Sequence, residues 1–362
     1  MTPSVHADPL ATRFDPPIDA GPTVMTVLGP VPVSELGVIL PHEHLLCRLY
    51  VPPDVVRGEQ FDRPLTLANL GWVRQNWSGN ADNVRLTSEH LAIAELARFR
   101  DAGGGTLVDV TLDGIGRDAR ALGRISRATG VHIVMGTGAY VGPTHPDWVR
   151  TASVDELAAA MIDEAGRGVG TTAMRPGIIG ELGCWWPLQP AELRVLQAGA
   201  RAQQATGLAI SIHPGRDRVA PLEIIGLLAA AGADLGRVAI GHLDRTVQDL
   251  PGLLDIARQG VYLEFDLFGL ETSFYPWSGV PELLSDAQRL NLVRGLIDAG
   301  FGDRILLSHD ICTKHRLARY GGHGYDHLLT NVRPWMKTRG FEDGEVTRLL
   351  ATNPATLLGG GS

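Results

Sequence analysis

Val38-Ile39-Leu40-Pro41-His42-Glu43-His44-Leu45 is a short apolar run that ends in His-x-His. Along a β-strand, side chains at i and i+2 lie on one face. A strand here can aim two imidazoles at one point near its end, and imidazole is a common ligand for zinc and similar borderline ions. Alone the pair is weak evidence, because two exposed or hydrogen-bonded histidines would leave the same sequence. Four later apolar runs change its weight, for each also ends in a residue that can ligate a metal: Glu181, His213, His242 and Asp310.

Working outward from that stretch, apolar runs recur at 38–41, 106–111, 132–136, 178–182, 208–213, 238–242, 261–266 and 304–310. Helical patterns alternate with them at 88–102, 117–129, 153–166, 190–206, 221–231, 250–259 and 282–299, with a last one from 342. Ser88 and Ser153 stand where N-caps belong, and Pro190 and Gly207 bracket one helix. The strands are continuous apolar runs, as expected when both faces are buried. Eight such units predict an α/β chain folded as a (β/α)8 TIM barrel, with its site at the C-terminal ends of the strands. A doubly wound sheet would want a glycine-rich phosphate loop after the first strand. That place holds His-Glu-His, and Gly103-Gly104-Gly105 precedes a strand instead of following one. Before the barrel, 23–28 reads as a short β-rich extension turned by Gly29-Pro30. The long connection 47–83 reads as part of the substrate pocket, because loops of that length usually carry function or structure of their own.

Composition fits a compact enzyme. Of 362 residues 44% are hydrophobic and only 20% charged, and 44 are glycine. The net charge of −8, without a basic block, argues against nucleic acid. No apolar run reaches the roughly 18 residues that would span a membrane. Cys47, Cys184 and Cys312 are too few and too scattered for a disulfide framework and suit a reducing, cytoplasmic setting. Residues 1–22 read as a flexible arm without the apolar core of a signal peptide, 23–358 as one barrel domain, and 359–362 as a flexible tail.

In a barrel the strand ends converge on one ring, so four imidazoles and two carboxylates meet there. That set suits two divalent ions: zinc first, with manganese or cobalt accepted by the same donors. Glu181, an acid ending a buried strand, is costly unless paired or metal-bound, and its two oxygens could bridge the ions. Two such ions lower the pKa of a shared water and polarise a carbonyl or phosphoryl oxygen. Asp310 could bind one ion and also take up the proton of that water.

This arrangement resembles the phosphotriesterase family of the amidohydrolase superfamily, and most of all its phosphotriesterase-related branch. The matching stretches are Thr26-Val27-Leu28-Gly29-Pro30, His42-Glu43-His44-Leu45, Ile179-Gly180-Glu181-Leu182-Gly183-Cys184, Ile212-His213-Pro214-Gly215-Arg216, His242-Leu243-Asp244-Arg245-Thr246, Leu263-Glu264-Phe265-Asp266-Leu267-Phe268-Gly269 and His309-Asp310-Ile311-Cys312-Thr313-Lys314-His315-Arg316-Leu317. The resemblance implies that His42, His44 and Asp310 hold one ion, that His213 and His242 hold the other, and that Glu181 bridges. Organophosphate-degrading members carry a carboxylated lysine at the bridge, whereas this branch carries glutamate. It implies a small-molecule substrate and hydrolysis of an N-acyl amine or N-acyl amino acid of the N-acetyltaurine type. A lactonase or phosphotriesterase with the same metal centre is the enzymatic alternative, and a non-catalytic binding barrel the other. Arg216, Arg245, Lys314 and Arg316 follow ligand-bearing strands and could hold an anionic head, or could each be tied up in a salt bridge. Tyr140 could donate to a substrate oxygen or simply pack at the rim. A homodimer is the expected assembly, being the commonest closed one.

Overall fold

In the computed structural model, residues 21–51, 58–273, 275 and 282–359 are described. Most of the arm assigned to 1–22 and of the tail assigned to 359–362 therefore lies outside the described residues. The eight expected strands form one parallel sheet: β1 (Val38–Glu43), β2 (Gly104–Asp109), β3 (His132–Thr137), β4 (Ile178–Gly183), β5 (Ile210–His213), β6 (Val238–Ile240), β7 (Tyr262–Phe265) and β8 (Ile305–Leu307). They pair in chain order, the signature of a barrel built from consecutive βα units.

Two buried clusters show how alternation divides each strand. Ile39, Val108, Val134, Ile178, Ala209, Ala239, Tyr262 and Leu306 belong to one cluster. Their neighbours Leu40, Leu107, Ile133, Ile179, Ile210, Ile240, Leu263 and Ile305 belong to the other, which also takes in the helices. With period-2 geometry the first set fills the barrel and the second faces the helix layer. An N-terminal hairpin (Thr23–Thr26 with Gly29–Pro32) and the last helix (Asn353–Gly359) add Val24, Leu357 and Leu358 to the inner cluster. The hairpin's turn is Val27-Leu28, not Gly29-Pro30. Gly29, with φ 120°, already pairs with Thr26 as the first residue of the return strand.

The seam between β1 and β8 is closed by a side chain. The Ser308 hydroxyl lies 2.8 Å from the carbonyl oxygen of His42 and accepts the His42 N–H at 3.2 Å. Asp310 N–H donates to the same carbonyl at 3.2 Å.

The helix signals match their structures. Ser88 accepts from Leu91 N–H to start α1 (Glu89–Asp101), and Ser153 forms a capping box with Glu156 to start α3 (Val154–Arg167), which follows α2 (Ala119–Thr129). Pro190 and Gly207 bracket α4 (Pro190–Thr206), and α5 (Ala220–Ala230) and α6 (Leu250–Ala257) follow. The helix expected from 282 starts later, as α7 (Asp286–Asp298), because Ser285 caps it with Gln288. No helix among the described residues is long and apolar enough to cross a membrane.

Candidate metal centre

At the C-terminal ends of the strands, His42, His44, Glu181, His213, His242 and Asp310 meet, as the spacing predicts. Glu181 is the hub. Its Oε2 lies 2.9 Å from His213 Nδ1 and 3.4 Å from both His42 Nε2 and His242 Nε2. Its Oε1 lies 3.3 Å from His44 Nε2, which in turn is 3.2 Å from Asp310 Oδ1.

Regular strands would not have produced this convergence. With Ile39 and Ile178 facing inward, strict alternation would turn His42 and Glu181 toward the helices. Register shifts between Leu40 and Glu43 in β1, and between Ile179 and Leu182 in β4, re-aim them. Gly180, at φ 120°, stands at the second shift, and a Cβ there would sit 2.2 Å from Ser211 O. The other correction concerns where β6 and β8 stop. They end at Ile240 and Leu307, so His242 and Asp310 lie beyond the ladders, in left-handed conformations of φ 55° and 51°. Such backbone is unusual for residues other than glycine and clusters at functional sites.

Behind the imidazoles stands a second row that the sequence reading passed over. Glu264 Oε2 is 3.0 Å from His42 Nδ1, and Asp266 Oδ1 is 2.8 Å from His242 Nδ1. Asp266 Oδ2 also accepts the His242 backbone N–H at 2.8 Å. Thr111 Oγ1 is 2.9 Å from His44 Nδ1. Each of these three rings thus has one nitrogen fixed from behind and the other free to face the cluster, as in metal-ligating histidines, while the outer nitrogen of His213, Nε2, lies 3.2 Å from Arg245 Nη2. The available signal was two acids at i and i+2 in the buried run Leu263-Glu264-Phe265-Asp266.

The electrostatics follow from that packing. Burial pushes the His42 imidazolium toward neutrality, but Glu181, Asp266 and Glu264 outweigh it and hold its pKa well above 6.5. Burial likewise opposes His44, and its bonds to Asp310 and Glu181 raise it to about 10. His213 goes the other way, far below 6.5, through burial and the charge of His242. Burial raises the Glu181 carboxyl, yet His42 and the His213 hydrogen bond hold it well below its usual range.

The donor set fits divalent ions. His42 Nε2 is buried with no hydrogen-bond partner, and His42, His44 and Asp310, like His42, Glu181 and His242, offer ligand atoms within 4.8 Å of one another. Imidazole and carboxylate donors suit zinc and its neighbours.

The cluster opens into a cavity of about 110 Å³. Tyr140, Arg216, Arg245 and Arg316 line it, and so do Leu49, Tyr50 and Trp77 from the long connection after β1. Lys314 does not. Its ammonium is 2.6 Å from Asp82, which holds it in a groove on the other side of its loop. Arg316 spends its guanidinium on backbone, donating to the carbonyls of Asp310 and His309. Tyr140 Oη is 3.2 Å from His213 Nδ1. His327 pairs with Asp286, and burial pushes the Cys312 thiol at the cavity wall well above its ordinary value, so it does not supply a thiolate.

Comparison with known proteins agrees with this geometry. The model of the phosphotriesterase family matches residues 22–358. An N-acetyltaurine hydrolase from Xenopus tropicalis is 44% identical over 339 residues, covering 92% of this chain and 97% of that protein, and its Homo sapiens counterpart is equally similar. Among solved structures, a resiniferatoxin-binding protein from Rhodobacter sphaeroides superposes with a TM-score of 0.88 at 37% identity, over 93% of this chain and 94% of that one. A phosphotriesterase homology protein from Escherichia coli, complexed with phosphate in its active site, gives a TM-score of 0.74 at 31% identity, over 89% and 98%.

Proposed function

Since the chain belongs to the phosphotriesterase family, a family of hydrolases, we propose that it is a binuclear metal-dependent amidohydrolase that cleaves a small N-acyl amine or N-acyl amino acid of the N-acetyltaurine kind. The observation that carries the reading is a buried glutamate, Glu181, at the centre of four histidines and an aspartate, of which His44, His213, His242 and Asp310 border a cavity. The names of its relatives favour an amide over the lactone or phosphotriester that the same centre could take.

His42, His44 and Asp310 would hold one ion and His213 and His242 the other, with Glu181 between them. Zinc is the first choice, manganese or cobalt the next. Ions bound there supply Lewis acidity, making a water nucleophilic near neutral pH and polarising the scissile carbonyl. The protein's own part is proton handling and orientation. Asp310 borders the cavity with 16% of its side chain exposed, more than any of the five other residues of the cluster. Burial raises its carboxyl, but the His44 hydrogen bond and the charges of His242, His44 and His42 hold it far below the usual range, so it is present as carboxylate. It takes the proton of the attacking water and delivers it to the departing nitrogen. Tyr140, whose phenol burial keeps protonated, donates toward the substrate oxygen. We take residues 23–358 as one catalytic unit, working as a homodimer in the cytoplasm. The three free cysteines support the reducing compartment.

The test is acetate release from N-acetyltaurine by metal-reconstituted protein, with a chelated control. Rapid release that the chelator abolishes is expected. Faster turnover of a lactone or phosphotriester than of any N-acyl amine would replace the amidase reading. A protein with no firmly bound metal and no rate gain from zinc, manganese or cobalt would leave a binding barrel.

A further inference from the structure

We infer that Arg245, with Arg216 beside it, is the seat of an anionic group on the substrate, so that the site selects N-acyl amines whose amine half ends in a small sulfonate or carboxylate. This rests on the hydrolase reading and narrows it.

Arg245 follows β6 on the short helix Leu243–Thr246 and is 3% exposed. Its Nη2 lies 3.2 Å from His213 Nε2 and donates to Pro214 O at 3.3 Å, but Nη1 is buried with no hydrogen-bond partner. Arg216, on the loop after β5, donates through Nε to Tyr275 Oη at 3.3 Å and sits 6.0 Å from the centre of that ring. Among the described residues neither guanidinium forms an ion pair, whereas Arg117, Arg289 and Arg294 all face carboxylates. Arginine does not shed its proton at any ordinary pH. The cavity wall therefore carries two positive charges with no carboxylate paired to either, and a buried charge of that kind is costly until an anion joins it. The other two cations are committed elsewhere, Lys314 to Asp82 and Arg316 to the carbonyls of His309 and Asp310.

The same wall offers the partner further contacts. Thr313 Oγ1, also buried without a partner, borders the cavity and offers one more hydrogen bond. Leu49, Leu267, Leu270 and Trp185 make the rest of the lining largely apolar, which suits a short acyl group. Arg245 Nη2 is 3.2 Å from His213 Nε2, and His213 Nδ1 is 2.9 Å from Glu181, so only the His213 ring separates an anion seated there from the cluster. A short aliphatic spacer spans that gap.

The experiment compares kcat/KM for N-acetyltaurine, N-acetyl-β-alanine and neutral N-acetylpropylamine in wild type, Arg245→Gln, Arg245→Lys and Arg216→Gln. The wild type favours the anionic amides. In Arg245→Gln the anionic-to-neutral ratio falls roughly a hundredfold, the scale of losing one partner of a buried charge pair. In Arg216→Gln it falls about tenfold, and Arg245→Lys lies between Gln and wild type. Equal losses on anionic and neutral amides would mean that Arg245 only positions His213, and would overturn the inference. So would a ratio that no variant moves. Calorimetric binding of ethanesulfonate separates the two readings. Binding that Arg245→Gln abolishes, in a protein that cleaves no amide, would keep the anion seat and discard the amidase. Amide cleavage without such binding would do the reverse.

Discussion

Asp266→Asn isolates what the row behind the histidines contributes. The wild-type carboxylate is fully buried, and both of its oxygens bond to His242, one 2.8 Å from the ring and one 2.8 Å from the backbone N–H. Asparagine keeps the shape but has only one acceptor, so its amide N–H₂ must face one of those two groups. One charge-assisted hydrogen bond is lost, worth about 1.5–3 kcal/mol. The loss falls on the ring that presents Nε2 to Glu181, or on the strained φ of 55° that aims it. At about 1.4 kcal/mol per decade, the affinity for the ion we assign to His213 and His242 falls roughly tenfold to a hundredfold. The same range is found when the outer partner of a ligating histidine is removed. The assay is competition with a chromogenic chelator at neutral pH, with circular dichroism to confirm the fold. A folded Asp266→Asn protein that holds both ions against the chelator as firmly as wild type would refute the reasoning.

The remaining predictions concern protons, the core and the seam. His44 has a pKa raised from 6.5 to about 10 in the metal-free site, so its proton stabilises the metal-free fold below pH 6.5, and that contribution disappears as pH rises toward 10. A metal needs the neutral ring, so ion binding releases protons and tightens with rising pH across that window; calorimetry in buffers of different ionisation enthalpy measures the release, and heats independent of buffer would contradict it. Arg289 and Asp244 form a fully buried pair at 2.6 Å, and Arg289 also bonds Asp286 at 2.8 Å. Arg289→Met strands those carboxylates and should cost about 3–5 kcal/mol in denaturant unfolding, with an unchanged midpoint counting against it. Ser308→Ala removes the hydroxyl between β1 and β8 and leaves the buried His42 N–H without its acceptor, at a cost of about 1–3 kcal/mol by the same method.

Strand order and the residues that meet at the strand ends were legible because each depends on local pattern. A buried strand must be apolar, so a histidine or glutamate at its end stands out. Geometry that depends on departures from pattern was not legible. In Val38-Ile39-Leu40-Pro41 only the missing N–H of Pro41 hints at the register shift that turns His42 inward, and nothing in Ile240-Gly241-His242 shows that the ladder ends before the histidine. Glu264 and Asp266 were visible as residues, but an acid behind a histidine and an acid in a salt bridge read alike in one dimension. The cations show the same limit. Arg216, Arg245, Lys314 and Arg316 all follow ligand-bearing strands, yet only the packed loops decide that Lys314 meets Asp82 while Arg245 keeps an unpaired donor over the cavity.

The middle residue of His-Glu-His explains why barrel closure and the metal site cannot be separated. Glu43 points away from the cluster, and its Oε1 accepts the His309 N–H at 2.9 Å while its Oε2 accepts the Ile311 N–H at 2.8 Å. These two bonds straddle Asp310, whose own N–H donates to the carbonyl of His42. From the other side, Arg316 grips the carbonyls of His309 and Asp310. Asp310 therefore holds its left-handed conformation because both neighbours and its own backbone are fixed, three of those ties running to β1. The bonds that join the first strand to the last also set the distance between His44 and Asp310. A ring of parallel strands has to close somewhere, and here the closure lies across the candidate ligand set, so any loosening of the seam would displace the aspartate to which we assign proton transfer.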